Sequence, residues 1–474
     1  MITVVWFRQD LRVADQPLLQ RAASLSQPVL GLYLLPDHWL QADADGMDRL
    51  GSAKSAFLLE SLDDLQARLA QLGVALQCLR ADPVTLFGHW HASQPLQVVT
   101  AVAQAPEEAA MIAALRQTGI RVVEEETQTL LAAEALPWEG SFPATFSRFR
   151  RKVETRDGLP VTSPDGPAPS LRAAQPLPPP AFAEPARKRL ALRCRHWQRN
   201  SRDYFSLSGG EQAGLQWLEH YLFETRSVDH YKQTRNQLIG EHYSSRLSAY
   251  LAWGNVSVRR VWQRILDYEA VEGANPGSEW LRVELLWREF YHWSLREHGA
   301  RVFHYAGLND EGPGQPEPAS LLAREYWQRW CQAETGLPFI DANLRELMAT
   351  GYASNRGRQN LASFWVNDMG LDWRRGARWF QHYLVDDDVA SNWGNWAYIA
   401  GVGHDARGGR RFSPTRQCQQ YDPRGEHLHY WLPALRPLSA RQCLSLHFTF
   451  GQADPLPDYP AAMLPLPAVD RKLA

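Results

Sequence analysis

Short, wholly apolar runs rich in β-branched residues alternate with helical periodicity over the first 125 residues. Residues 2–7 and 29–35 are runs of this kind, and 74–79, 97–102 and 120–123 repeat the pattern. Between them, residues 52–72 place Phe57, Leu58, Leu62, Leu65 and Leu69 on one side of a helix, and 107–117 are helical. Runs without polar alternation belong to strands buried on both faces. Their alternation with helices predicts a doubly wound, parallel, Rossmann-like α/β sheet over residues 1–130. The pattern then breaks. Residues 131–204 read as a connector, with nine prolines between Pro160 and Pro185, a stretch expected to run extended and to build no core. From Gly209-Gly-Glu211 onward the strand pattern ends and helical spacing takes over, predicting an all-α domain over 205–440 and a short tail over 441–474.

A chain of 474 residues has room for two or three cores. The net charge of −2 exerts no global pull toward nucleic acid, so any basic surface is local. Five lysines stand against 45 arginines. Arginine suits bidentate phosphate and carboxylate contact, although genomic base composition explains the bias equally well. Five cysteines without a CxxC pair argue against a disulfide scaffold or a zinc site. Charge close to the first residue and the lack of any membrane-length apolar run set the expectation of a cytoplasmic protein. There is no GxGxxG and no GxxxxGK[ST], so the α/β region carries no dinucleotide or P-loop signature.

The chemistry concentrates further on. Thr335-Gly-Leu-Pro-Phe-Ile-Asp-Ala342, Asn355-Arg-Gly-Arg-Gln359, Leu371-Asp-Trp-Arg374 and Asp386-Asp-Asp-Val-Ala-Ser-Asn-Trp-Gly-Asn-Trp-Ala-Tyr398 crowd charge and aromatic surface together. In helical register Asp388, Asn392 and Trp396 share one face, which suits a flat, polar-edged aromatic ligand better than a core. Glu284, Trp287, Arg288 and Tyr291 likewise share a face, read as a pocket wall or as an amphipathic helix with its indole in the core. Tyr231-Lys-Gln-Thr-Arg-Asn236 followed by Ser244-Ser-Arg-Leu-Ser248 reads either as an anion cradle or as an ordinary capped helix start.

These motifs, with Trp6-Phe-Arg-Gln-Asp-Leu-Arg12 and Asp15 at the start and Trp431-Leu-Pro-Ala-Leu435 near the end, resemble the photolyase/cryptochrome family, and the DASH cryptochromes in particular. That resemblance implies FAD as cofactor and blue-light repair of cyclobutane pyrimidine dimers as activity, a carbon–carbon lyase reaction preferring single-stranded DNA. It implies that Tyr231, Ser244, Ser245, Arg246, Leu247 and Ser248 face the flavin diphosphate, and that Arg288, Asn355, Arg358, Asp386, Asp388 and Asn392 surround the flavin ring, with Asn392 at N5. Glu284, Trp287, Tyr291, Gln359 and Tyr398 would meet the flipped-out dimer, and Arg411, in the run Arg407-Gly-Gly-Arg-Arg411, a DNA phosphate. Asn355 and Gln359 stand where enzymes for (6-4) lesions carry histidines. Tyr398 replaces a second stacking Trp, which motivates the single-strand preference. Trp396 and Trp373 match the first two members of an electron-transfer chain whose outer Trp is here Ser320, leaving Trp379 or Trp327 as substitutes. Glu154 would border an antenna folate, 5,10-methenyltetrahydrofolate. Gln16 replaces a usual Asn, and Ala434 a usual Glu. A monomer is expected. The rival functions are a photoreceptor that signals without repair, against which the short tail speaks, and a nucleic-acid-binding regulator with a vestigial flavin.

Overall fold

A computed structural model describes residues 1–138, 140–154, 159, 161–164, 166–199, 208–309, 320–404, 410–467 and 470. The predicted α/β region forms a six-stranded sheet from β1 (Ile2–Phe7), β2 (Val29–Leu35), β3 (Leu76–Arg80), β4 (Leu96–Ala101), β5 (Arg121–Glu125) and β6 (Glu184–Pro185), in the order β5-β4-β1-β2-β3-β6. All pairings are parallel except β3 with β6. Strands β1, β2 and β4 are buried along their whole length, as their largely apolar sequences require; the polar exceptions pair inside the sheet, Gln97 donating to Thr3 and Thr100 to the Trp6 carbonyl. The third strand starts two residues later than its apolar run. Gly73 closes the preceding helix in the left-handed region, and the Val74 N–H is spent on the Leu69 carbonyl. The strand order reverses at β1, and the loops after β1 and β4 meet there, where open α/β sheets form a crevice.

The proline-rich connector departs from expectation. It is not coreless. The Val29 N–H bonds the Arg172 carbonyl, Gln77 bonds both backbone groups of Leu177, and Ala174 and Leu177 are buried against the sheet. Extended backbone without its own hydrogen bonds becomes sheet-edge cover when neighbouring side chains satisfy it. The connector also holds two helices, Phe146–Val153 and Ala186–Cys194, whose Phe149, Val153 and Leu190 are fully buried.

Beyond residue 208 every described element is helical except one isolated bridge. The region set apart as a tail is built into this domain. Tyr459, Met463 and Leu464 are buried, the Tyr459 hydroxyl donates to Asp341 at 2.7 Å, and the Met463 N–H bonds the Thr335 carbonyl. Asp341 also accepts from the Thr335 and Gly336 N–H groups, so the Thr335–Ala342 motif is scaffold.

The sheet and the helices are joined by buried charge. Arg12 donates to the carbonyls of Asp15, Gly254 and Thr127, and Asp15 pairs with Arg259 at 2.8 Å. Gly254, with φ +62°, lies so near the Gln9 carbonyl that a Cβ would sit 2.3 Å from it. Gln16 caps the helix Pro17–Ser24 through its side chain, which accepts the Leu18 N–H. Two carboxylates complete the seam. Glu211 accepts the N–H groups of Val13 and Ala14, and Glu289 those of Leu130 and Leu131.

Burial also dictates an acid sensitivity. The fully buried His427 makes no side-chain hydrogen bond, and desolvation pushes its pKa down to about 3. The unfolded chain therefore takes up a proton near pH 6.5 that the folded chain refuses until about pH 3, and stability is lost as pH falls through that window. Denaturant unfolding at pH 7 and pH 5 should show His427→Leu gaining about 2 kcal/mol on the wild type at the lower pH. An unchanged difference would mean that His427 titrates normally.

Candidate active site

The helix Pro276–His298 forms one wall. Asn275 caps it by accepting the N–H groups of Gly277 and Ser278, and Pro276 opens its first turn. One face turns Glu289 and His292 to the α/β domain. The other turns Glu284, Trp287, Arg288 and Tyr291 to a cavity of about 420 Å³. The helix Asn355–Ser363 supplies Asn355, Arg358 and Gln359, and the helix Val389–Ile399 supplies Asn392, Trp396 and Tyr398 to the same space. Asp386 lines it from the loop before that helix.

Arg358 donates to Asp386 at 2.9 Å and to the Ala353 carbonyl at 2.8 Å, and lies 5.0 Å from the Tyr352 ring. The Asn392 amide nitrogen donates to the Ala377 carbonyl at 3.0 Å and approaches Asp387 at 3.4 Å. Its oxygen is therefore left as an acceptor. Asp387 in turn binds Lys54, which reaches from the helix Ser52–Gln71 and also donates to the Gln381 carbonyl, each at 2.8 Å. Glu284 accepts from Trp280 at 2.9 Å and from Arg235. Burial raises its pKa, against the pull of Arg235 and Trp280. Tyr398 meets Trp287 edge-on, 6.5 Å between centroids at 77°.

Eleven of the residues singled out by motif thus share one cavity: Glu284, Trp287, Arg288, Tyr291, Asn355, Arg358, Gln359, Asp386, Asn392, Trp396 and Tyr398. Others do not line it. Tyr231 is buried, and Ser244, Ser245, Arg246, Leu247 and Ser248 lie to the side, with Ser248 exposed. Arg246 stands 5.0 Å from both the Tyr243 and Tyr352 rings, so Tyr352 bridges this loop to Arg358 at the cavity wall. The helix there opens at Leu247 without a side-chain cap, so Ser248 is not the cap its position suggests. Asp388 faces the other way, correcting its placement at the ring edge. As N-cap of its helix it accepts from Ser391 and pairs with His292, both at 2.7 Å. Burial would raise its pKa, but His292, Arg288 and the Ser391 N–H outweigh that and hold it far below the carboxylate range.

Arg411 is not a free phosphate ligand. It is held between Asp368 at 2.8 Å and Asp470 at 2.7 Å. Arg407 lies outside the described residues. Glu154 is paired with Arg150 at 2.8 Å and lines a separate groove with Lys232, Trp262 and Trp280. Trp373 is buried behind the wall, donating to the Tyr305 carbonyl at 3.0 Å. Motifs missed Arg235, Trp280, Arg410 and Phe412, which also line the cavity, and Lys54, which orients Asp387 from outside it. Arg235 stood inside the Tyr231–Asn236 motif. Lys54 had no signal beyond being a lysine in an apolar helical stripe.

A second cavity lies at the strand-order reversal between sheet and helices. It is walled by Trp6, Tyr33, Trp39 and Trp253 and edged by Arg8, His292 and Asp388.

Family comparisons bear directly on this arrangement. Residues 3–170 match the model described as DNA photolyase, and 280–471 the FAD binding domain of DNA photolyase. The chain belongs to the photolyase/cryptochrome family. Its curated relatives include the Cryptochrome DASH proteins of Gloeobacter violaceus, 36% identical over 92% of this chain and 86% of that protein, and Xenopus laevis, 35% identical over 92% and 83%. Among solved structures, a Synechocystis cryptochrome superposes with a TM-score of 0.86 at 31% identity over 100% of this chain and 99% of its own. An archaeal photolyase from Sulfolobus tokodaii, described with two FAD molecules, shares the fold with a TM-score of 0.77 at 23% identity over 98% and 96%.

The cavity of this family member fits its flavin. Asp386 Oδ1, Gln359 Oε1 and Trp396 Nε1 belong to lining residues, are buried, and have no partner among the described residues. Buried polar atoms of this kind each cost about 1–3 kcal/mol unless a ligand pairs them.

The Lys54–Asp387 pair crosses from the α/β domain to the residue beside Asn392. Lys54→Met leaves a buried carboxylate uncompensated and should lower unfolding stability by about 3–5 kcal/mol. Denaturant unfolding, with FAD content of the purified protein as the second readout, checks this. A loss below about 1 kcal/mol, the range of exposed pairs, would show that the pair is solvated.

Proposed function

We propose that the protein repairs cyclobutane pyrimidine dimers under blue light, preferring lesions in single-stranded DNA. One observation carries this reading: a single cavity joins a flavin-compatible wall (Arg358, Asp386, Asn392) to a wall able to receive two linked, extruded bases of one strand (Glu284, Trp287, Tyr398). Bound FAD supplies the light absorption and the transferable electron.

The chain's own residues supply position and polarity. Asn392 presents an acceptor oxygen, because its amide nitrogen is spent on Ala377, and an acceptor favours a ring N–H over a bare ring nitrogen. Arg358 holds Asp386 with one oxygen unpartnered, ready for a ligand N–H. Trp287 offers stacking area, and Glu284, fixed by Arg235 and Trp280, offers an acceptor or, when protonated, a donor. Asn355 and Gln359 cannot shuttle protons, which fits a reaction in which an electron cleaves two C–C bonds and returns. Tyr398 lies edge-on to Trp287 rather than parallel, so the lesion gains one stacking face instead of two. Extruding a dimer from a duplex costs a few kcal/mol and less from a single strand, so reduced stacking weighs against the duplex.

The electron supply from outside runs through aromatic rings. Ser320 caps the helix Leu321–Gln332 and offers no redox group at the outer position. From Trp396 the contacts lead to Phe380 at 5.0 Å, then Trp379 at 6.0 Å, Trp330 at 5.4 Å, Trp365 at 5.0 Å and the partly buried Trp327 at 5.8 Å. On the other side Trp373 touches Trp393 at 5.7 Å. An antenna folate fits the Glu154 groove only if it displaces Arg150 from the carboxylate. The interdomain cavity, where Trp6 Nε1 is buried without a partner, is the second place for such a chromophore.

Three outcomes are expected. FAD-loaded, reduced protein under blue light should clear a thymine dimer from a single-stranded oligonucleotide and leave the same lesion in duplex largely intact. Repair of neither with FAD fully bound would favour the photoreceptor. Asn392→Ala should keep FAD yet lower its two-electron potential by about 10–30 mV, the worth of one lost hydrogen bond. An unchanged potential in redox titration would remove Asn392 from the ring. Trp379→Phe should slow light-driven flavin reduction; if only Trp373→Phe does so, the supply runs by Trp393.

A further inference from the structure

The connector braces one wall of the cavity from behind. Its helix Phe146–Val153 is capped by Thr145, whose side chain accepts the Arg148 N–H. Phe149 and Val153 anchor it, with Phe149 5.4 Å from Phe290 of the helix Pro276–His298. One turn earlier, Phe146 lies flat on Trp287, 3.8 Å between ring centroids and 12° between planes.

No other described ring meets Trp287 this way. Tyr291 is tilted by 32° at 5.8 Å, Phe290 stands at 88° and 5.9 Å, and Tyr398 at 77° and 6.5 Å. Trp287 lines the cavity and Phe146 does not, so Phe146 covers the face of the indole turned away from it. Trp287 is only half-buried and its indole N–H makes no hydrogen bond among the described residues. Nothing polar holds its plane. Packing does, and the one parallel surface is Phe146.

We infer that Phe146 is a positioning residue for the dimer: it clamps Trp287 from behind and presents the opposite indole face to the extruded bases. This rests on the repair reading given above. An indole left to rotate must be ordered when the lesion binds, at a cost of about 0.5–1.5 kcal/mol for one side chain. Pre-stacking removes that cost, and offset-stacked aromatic pairs hold with comparable strength. The helical domain thus supplies the platform, and the connector sets its tilt. The effect concerns affinity for the lesion and leaves the electron-transfer groups untouched.

The test uses the full-length, FAD-loaded protein and a single-stranded oligothymidylate, with and without one cyclobutane dimer. Phe146→Ala should weaken binding of the damaged strand about three- to tenfold, with undamaged-strand affinity and FAD content unchanged. In turnover, KM should rise while the maximal repair rate holds. Phe146→Tyr should restore wild-type binding, because it restores the flat face, and Phe146→Leu, which keeps apolar bulk and guards against a folding defect in the alanine variant, should not. Equal damaged-strand affinity in Phe146→Ala and wild type would overturn the inference. So would a Phe146→Leu variant that binds like wild type, a parallel loss for damaged and undamaged strands, or tighter binding by Phe146→Ala, which would make Phe146 a plug. A wild type that does not discriminate the dimer at all would instead overturn the repair reading beneath it.

Discussion

The structure depends on one helix buried from both sides. Along Pro276–His298, Glu289 accepts the N–H groups of Leu130 and Leu131 where the chain leaves the sheet, and donation from Trp293 completes its shell. A buried carboxylate survives only when its oxygens are fully used, and here they tie the helix to the α/β domain. His292, three residues on, extends the seam through Asp388. With that face committed, Glu284, Trp287, Arg288 and Tyr291 have one direction left, and it opens on the cavity. Helical periodicity converts a domain contact into a wall for a ligand.

The consecutive carboxylates 386, 387 and 388 show how three identical side chains take three tasks. Asp386 goes to Arg358 at the cavity, Asp387 to Lys54 across the domain seam, and Asp388 to His292 as a helix cap. Each has a different partner, so none competes for another's. Asn392 is oriented from behind by Ala377 and Asp387, which leaves its oxygen free on the cavity side. Polarity at the ligand is set by groups the ligand does not touch.

Arg411 and Glu154 carry the complementary lesson. Both are charged residues near the right region, and each is already satisfied by a neighbour, Asp368 and Asp470 in one case and Arg150 in the other. A sequence motif reports that a charge is available but not what it has been paired with. The carboxylates on Arg411 come from positions 43 residues before and 59 after it, a distance no local pattern spans.

The sequence by itself determined the sheet, because runs such as residues 2–7 and 29–35 have no polar face to expose, and it determined the helical domain; the helix period put Glu284, Trp287, Arg288 and Tyr291 on one face and Asn392 with Trp396 on another, while Asn355, Arg358, Gln359, Asp386 and Tyr398 were pointed to by the family resemblance and not by spacing. Only the tertiary structure decided that the proline-rich connector packs, since its hydrogen-bond partners lie on other segments. It alone placed Lys54 on Asp387, turned Asp388 away from the cavity, and laid Phe146 on Trp287. Periodicity is local and legible in a string, whereas the pairing of buried charges and ring faces is settled by which distant segments meet.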